Sequence, residues 1–246
     1  MRRLVPLLVL AALAGCGGSG NVASQTGANV SKITSGVLDL KLLVRPHGGG
    51  SPFGFELKGP FALQSGGLPV ARIAYTQTAN GRSATATFVS NGRKAWIVST
   101  AGTRQLSAAQ ARGVSFGNTF SGLDLGTWIK DAKVSAGPPG LERVTGTLDV
   151  VAAANGLRGI AGLSGRTLPQ ISGSDADRLR SATRSSSVVL LTTKSGHLLR
   201  RLAVSADLGF SVPASLERAL GSSVGARVDF LLAIARPNSH VVVSGP

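Results

Sequence analysis

The residues able to do covalent chemistry are few, and the first of them is the only cysteine in 246 residues, Cys16, in the run LAGCGGSG. A catalytic thiol needs a base and an ordered pocket, and a greasy leader followed by Gly-Gly-Ser-Gly offers neither. Arg2 and Arg3 precede an apolar run from Leu4 to Leu13. That run has the length of a signal-peptide core and is too short to cross a bilayer as a helix. The small residues Ala14 and Gly15 then leave a slender segment that a peptidase cleft can accept. The leader predicts an exported chain, and Leu13, Ala14, Gly15 and Cys16 together resemble a bacterial lipobox, which implies a cut before Cys16 and a lipid on its thiol; two acyl chains there would anchor it stably. With no second thiol there is no disulfide, so the fold must rest on an apolar core.

The other chemical candidates fail on context. Gly113-Val114-Ser115-Phe116-Gly117 matches G-x-S-x-G, yet that string has meaning only on a strand-to-helix turn, and here a helical stretch precedes it and a loop follows. His47, His197 and His240 stand far apart with no i, i+4 pair and no cysteine partner, which argues against a metal site. The acids Asp39, Glu56, Asp149, Asp207 and Asp229 sit on the polar faces of strands without a paired-carboxylate pattern. Neither a phosphate-binding loop nor a dinucleotide fingerprint occurs, so the sequence implies no cofactor and no enzyme.

The chain carries +15 at neutral pH, and loss of Arg2 and Arg3 leaves 24 basic against 11 acidic residues. Anionic lipid head groups and acidic wall polymers are suitable neighbours. Nucleic acid is not expected, because the basic residues are scattered and aromatics make up only 4% of the chain, too few for stacking platforms.

Three segments follow from composition: a leader over 1–15, a flexible tether over 16–32 rich in Gly, Ser, Asn and Thr, and one domain over 33–246. Within the domain, alternation dominates. Leu38, Leu40, Leu42 and Val44 oppose Asp39, Lys41 and Arg45; Phe53, Phe55, Leu57, Phe61 and Leu63 oppose Glu56 and Lys58. This is the period of half-buried strands. VARIAYTQT, RSATATFVS and KAWIVST continue the pattern, joined at Asn80-Gly81 and Asn91-Gly92, the strongest short hairpin signal. Five meandering antiparallel strands result. RQLSAAQAR and LDLGTWIKDA carry helical spacing, LERVTGTLDVVAAA reads as a strand entering a helix near Val150, and SDADRLRSATR reads as a helix with Ser174 as its N-cap. SVVLLTTK, HLLRRLAVSADL and ARVDFLLAIA close the chain as strands, with SLERALG a short helical turn or an irregular connection.

The order of lipobox, polar tether, strand meander, central helices and closing strands resembles the actinobacterial lipoproteins of the LppX, LprA, LprF and LprG type, related in shape to LolA. The resemblance runs from Ile33 to Val243, with local echoes in NGRKAWIVST, LDLGTWIKDAKVSAGPPGLERVTGTLDV and SGHLLRRLAVSADL. It implies an α+β fold, a strongly curved antiparallel half-barrel wrapped around central helices, with an apolar cavity between them for acyl chains. Such proteins carry a longer helix before the first strand, for which only ANVSKIT is on offer here. The side chains expected to line the inner face are Leu38, Leu40, Leu42, Phe55, Leu57, Phe88, Trp96, Leu148, Val204 and Phe230; the same residues would equally serve as plain core. The implied partners are a lipid or glycolipid, the membrane through lipidated Cys16, and an envelope transporter.

Overall fold

A computed structural model describes residues 19–113, 123–158, 169–209 and 224–243. Cys16, the G-x-S-x-G string beyond Gly113 and SLERALG lie outside the described residues.

The described residues form one antiparallel sheet of eleven strands. β1 (Ser35–Pro46), β2 (Phe53–Ala62), β3 (Val70–Ala79), β4 (Arg82–Asn91), β5 (Ala95–Ser99) and β6 (Gly102–Gln105) come first, and β7 (Ile129–Ala136), β8 (Leu141–Leu148), β9 (Thr183–Thr193), β10 (Leu199–Leu208) and β11 (Ala226–Ala235) follow. Their spatial order is β6-β5-β4-β3-β2-β1-β11-β10-β9-β8-β7. Two meanders therefore run outward from a central seam in which the first strand pairs with the last, Leu40 opposite Leu232 and Leu42 opposite Phe230. The sheet is curved and the fold is α+β, the arrangement that the resemblance implies.

Short helices cover the concave face: α1 (Ser19–Asn29), α2 (Ala108–Gly113), α3 (Leu125–Trp128), α4 (Val150–Gly156) and α5 (Gly173–Ala182). The composition of residues 16–32 reads as a tether, but from residue 19 this segment is helix, continued by a 3₁₀ turn over Val30–Lys32. Ala23, Thr26, Val30 and Ile33 recur at helical spacing and all are buried. Glycine makes this docking possible. A side chain at Gly27 would strike the Leu123 carbonyl and come within 3.0 Å of the Leu125 amide, and one at Gly126 would strike the Ser24 hydroxyl. The helix axis thus comes so close to α3 that small residues suffice to bury the contact. At its far end the Asn29 amide donates to the Gly196 carbonyl at 2.9 Å, in the β9–β10 turn.

Three further expectations change. The helical spacing in LDLGTWIKDA ends at Trp128, after which Ile129 to Ala136 are strand. The N-cap of α5 is Ser172 rather than Ser174, and it makes no side-chain capping bond. Asn80 and Gly81 both take positive φ, 52° and 71°, as a tight hairpin requires. Asn91 does not; its side-chain carbonyl accepts from the Arg93 and Lys94 amides at 3.0 and 2.9 Å, building a longer turn. Near Val150 the expected strand-to-helix junction is present, capped by the Asp149 carboxylate accepting from the Ala152 amide at 3.0 Å.

Candidate functional site: the concave face

Strand register assigns each expected lining residue to a face. Leu38, Leu40 and Leu42 stand opposite Gly59, Leu57 and Phe55 on one side and opposite Ile234, Leu232 and Phe230 on the other. The rows continue through Leu202 and Val204 to Leu190 and Val188, and on to Val144. These residues form the concave surface, and Val22, Ala23, Val30, Leu125, Trp128 and Ala153 pack onto it from the helices.

Nine of the ten expected residues fall on this face. Leu38, Leu40, Leu57, Phe88, Val204 and Phe230 are buried, while Leu42, Phe55 and Leu148 are partly buried against the same cluster. Trp96 is the exception. Phe88 stands opposite Ile97, so the next pair, Val89 with Trp96, points to the convex side. Alternation within the five residues of β5 fits either face, and the buried Ala95 fixes which one is inside.

The concave face is not covered evenly. Toward the α1 end, Leu38, Leu40 and Leu232 are at most 1% exposed. A buried hydroxyl pair closes this region: Thr26 Oγ1 lies 3.0 Å from Thr192 Oγ1, and Thr192 donates to the Leu198 carbonyl at 3.1 Å. Toward the other end the same rows continue as Leu42, Val44, Phe53, Phe55, Tyr75 and Val228, and every one of them keeps part of its surface exposed. Phe55 and Tyr75 stack here with ring centroids 6.3 Å apart. Burial pushes the Tyr75 hydroxyl above the ordinary tyrosine pKa, since the apolar surroundings disfavour the phenolate. This half of the concave face is an apolar surface on which side chains from β1, β2, β3 and β11 converge, each only partly covered by the described residues around it.

Two hollows accompany it. One, of about 450 Å³, lies where the turns at Gly66-Gly67 and Gly92-Arg93-Lys94 meet α2; Leu68, Ala95, Leu106 and Ala111 form its apolar wall. The other, of about 480 Å³, lies on the convex face across β1, β11, β10 and β9. The sequence signal for the second was present in the alternation, as the polar positions of the same strands.

The candidate chemistry elsewhere stays dispersed. His47 Nε2 lies 3.3 Å from Asp207 Oδ1 and His197 Nδ1 lies 3.8 Å from Glu142 Oε2, on different turns. Among the described residues no three His, Cys, Asp or Glu side chains gather as metal ligands. Among them, too, no helix is long and apolar enough to cross a membrane.

No family model matches the chain, and no curated protein does so. Three solved structures are similar over most of its length at low identity. LprF from Mycobacterium bovis is 8% identical, with 93% of this chain and 96% of that one covered and a TM-score of 0.41. A LolA superfamily protein from Nitrosomonas europaea is 10% identical, with 88% and 93% covered and a TM-score of 0.22. A DUF1329 family protein from Desulfovibrio piger is 12% identical, with 92% and 93% covered and a TM-score of 0.27.

Proposed function

We propose that the protein is an exported lipoprotein, anchored through Cys16 at the outer face of the cell membrane, that shelters the acyl chains of a lipid or glycolipid on its concave face. The observation that carries this reading is the half-covered apolar surface of Leu42, Val44, Phe53, Phe55, Tyr75 and Val228. Folded proteins bury such convergent rows unless something else covers them. An acyl chain laid there leaves water at about 0.8 kcal/mol per methylene, and no catalytic group is called for.

The position of α1 fits an anchored carrier. Cys16 precedes the first helical residue by three positions, a covalent reach of at most about 11 Å. The helix lies on the concave side, so the acceptor surface is held close to the bilayer from which a lipid would come. An envelope transporter is the partner such a carrier would hand to or receive from.

The test is native mass spectrometry of the full chain extracted in mild detergent. Wild type should retain a non-covalent lipid adduct, and Phe55→Glu, which places a charge in the middle of the acceptor surface, should lose it while keeping the sheet's circular dichroism. Recovery of wild type without any adduct in repeated preparations would overturn the carrier reading. The fully packed region around Leu40 and Leu232 supports a second reading, an adaptor lipoprotein whose interior is filled and whose surface engages an envelope partner. That reading requires wild type and variant to be equally empty.

A further inference from the structure

The hollow on the convex face has its own composition. Rungs of directly paired residues define it. One runs Lys133, Thr145, Val189, Ala203, Leu231, Lys41, Glu56 from β7 to β2, and the next runs Arg143, Leu191, Arg201, Ala233, Asp39 from β8 to β1. An apolar floor of Leu43, Val189, Ala203 and Leu231 is bordered by the exposed cations Lys41, Arg45, Arg201 and Arg227, with Asp229 the one carboxylate among the described lining residues; at the β1 edge Lys41 pairs with Glu56 at 3.7 Å and Asp39 with Lys58 at 3.9 Å. Asp229 is already engaged: Arg45 binds one oxygen, while Ser205 and Arg227 donate to the other at 2.9 and 3.1 Å. Arg201, Arg143 and Lys133 form no ion pair with any described residue, and each is exposed.

The spacing excludes a single small anion. With about 3.4 Å per residue along a strand, Arg201, six register positions from Arg227, stands about 20 Å away from it, and Arg143 lies about 10 Å across the sheet from Arg201. These cations form a track. No aromatic side chain projects from these rungs, so bases would have nothing to stack on. The face also lies opposite α1, the element tied most closely to the proposed anchor, and so points away from the bilayer. We infer that the convex groove docks a linear phosphate-bearing polyanion, whose charges fall along the track while its backbone crosses the apolar floor.

The probe is inorganic polyphosphate, titrated against the full chain in detergent. Wild type should bind it, and with about four phosphate contacts the affinity should fall about 50-fold between 50 and 200 mM salt. Arg201→Glu, at a side chain that makes no ion pair in the fold, should weaken binding at least tenfold. Arg178→Glu, on exposed α5 away from the groove, should leave it unchanged. Absence of polyphosphate binding overturns the proposal, as does equal weakening by the two variants, which would mark a response to net charge alone. Competition by inorganic phosphate at equal phosphate concentration would overturn the linear ligand in favour of a single-anion pocket. Binding to phosphatidylglycerol vesicles that Arg201→Glu abolishes, with polyphosphate binding unaffected, would assign the face to a membrane instead. Loss of the lipid adduct by Phe55→Glu is read separately, so either proposal can fail alone.

Discussion

Gly27→Ala turns the docking of α1 into a question of sign. In an isolated or loosely attached helix, alanine for glycine in the interior is favourable by about 0.8–1 kcal/mol. In the docked helix the added methyl meets the Leu123 carbonyl and comes within 3.0 Å of the Leu125 amide. Both are backbone atoms, so neither can swing aside as a flexible side chain would. Overpacking costs about 1–3 kcal/mol, and a clash with immovable backbone on two sides places this one in the upper half of that range, about 2–3 kcal/mol, which leaves a net destabilisation of about 1–2 kcal/mol. For a domain of this size that is a fall in melting temperature of about 2–8 °C. Thermal denaturation of the full chain followed by circular dichroism reads it directly, and hydrogen exchange over 19–29 should show faster exchange in the variant. An unchanged or raised melting temperature would mean that α1 is not seated against residues 123–125, and the account of its burial by close approach would fall.

Two further outcomes follow from the sheet. Leu40→Ala, at a fully buried concave position, should cost about 2–5 kcal/mol by denaturant unfolding, whereas Leu43→Ala, three residues on and facing the convex side, should cost well under half as much; equal losses would contradict the assignment of faces. For Asp229, burial pulls the carboxyl upward but is outweighed by the hydrogen bonds from Ser205 and Arg227 and the charges of Arg227 and Arg45, so it stays below the ordinary carboxylate range. A depressed folded pKa adds stability in full above the unfolded value near pH 4, lost as the pH falls through the lower folded value. Asp229→Asn should therefore lower the urea midpoint at pH 7 and approach wild type by pH 2–3, and a constant gap across that range would refute the charge argument.

Much of the sheet is legible because one face of β1, β2, β3 and β10 meets the core and sets a period of two along them, while β9 is marked by the apolar run Val188 to Leu191. The four residues of β6 are all exposed and leave no such trace. The junction at Trp128 and Ile129 leaves no mark in the sequence because both residues are buried: a helix handing over directly to a strand mimics a longer helical stripe. Helix α1 was hidden for a different reason. Its contact is made by Ala23, Thr26 and Gly27, and small residues buried by close backbone approach have the composition of a linker. The stripe at 23, 26, 30 and 33 was the available signal. On the concave face, register resolved what alternation alone could not: Trp96 belongs outside, and the uneven cover that distinguishes Phe55 from Leu57 depends on where helices end, which no local pattern encodes.

The seam between β1 and β11 also dictates an order of assembly. Strands 35–46 and 226–235 are the middle of the sheet yet nearly two hundred residues apart in the chain, so each meander can zip along local turns while the joint between them closes only when the final strand is in hand. Until then both β1 and β10 present a bare ladder of amides and carbonyls to the surroundings. A chain threaded outward from its amino end would thus spend the whole of its passage as two unfinished halves, guarded or at risk, and lock in one late step.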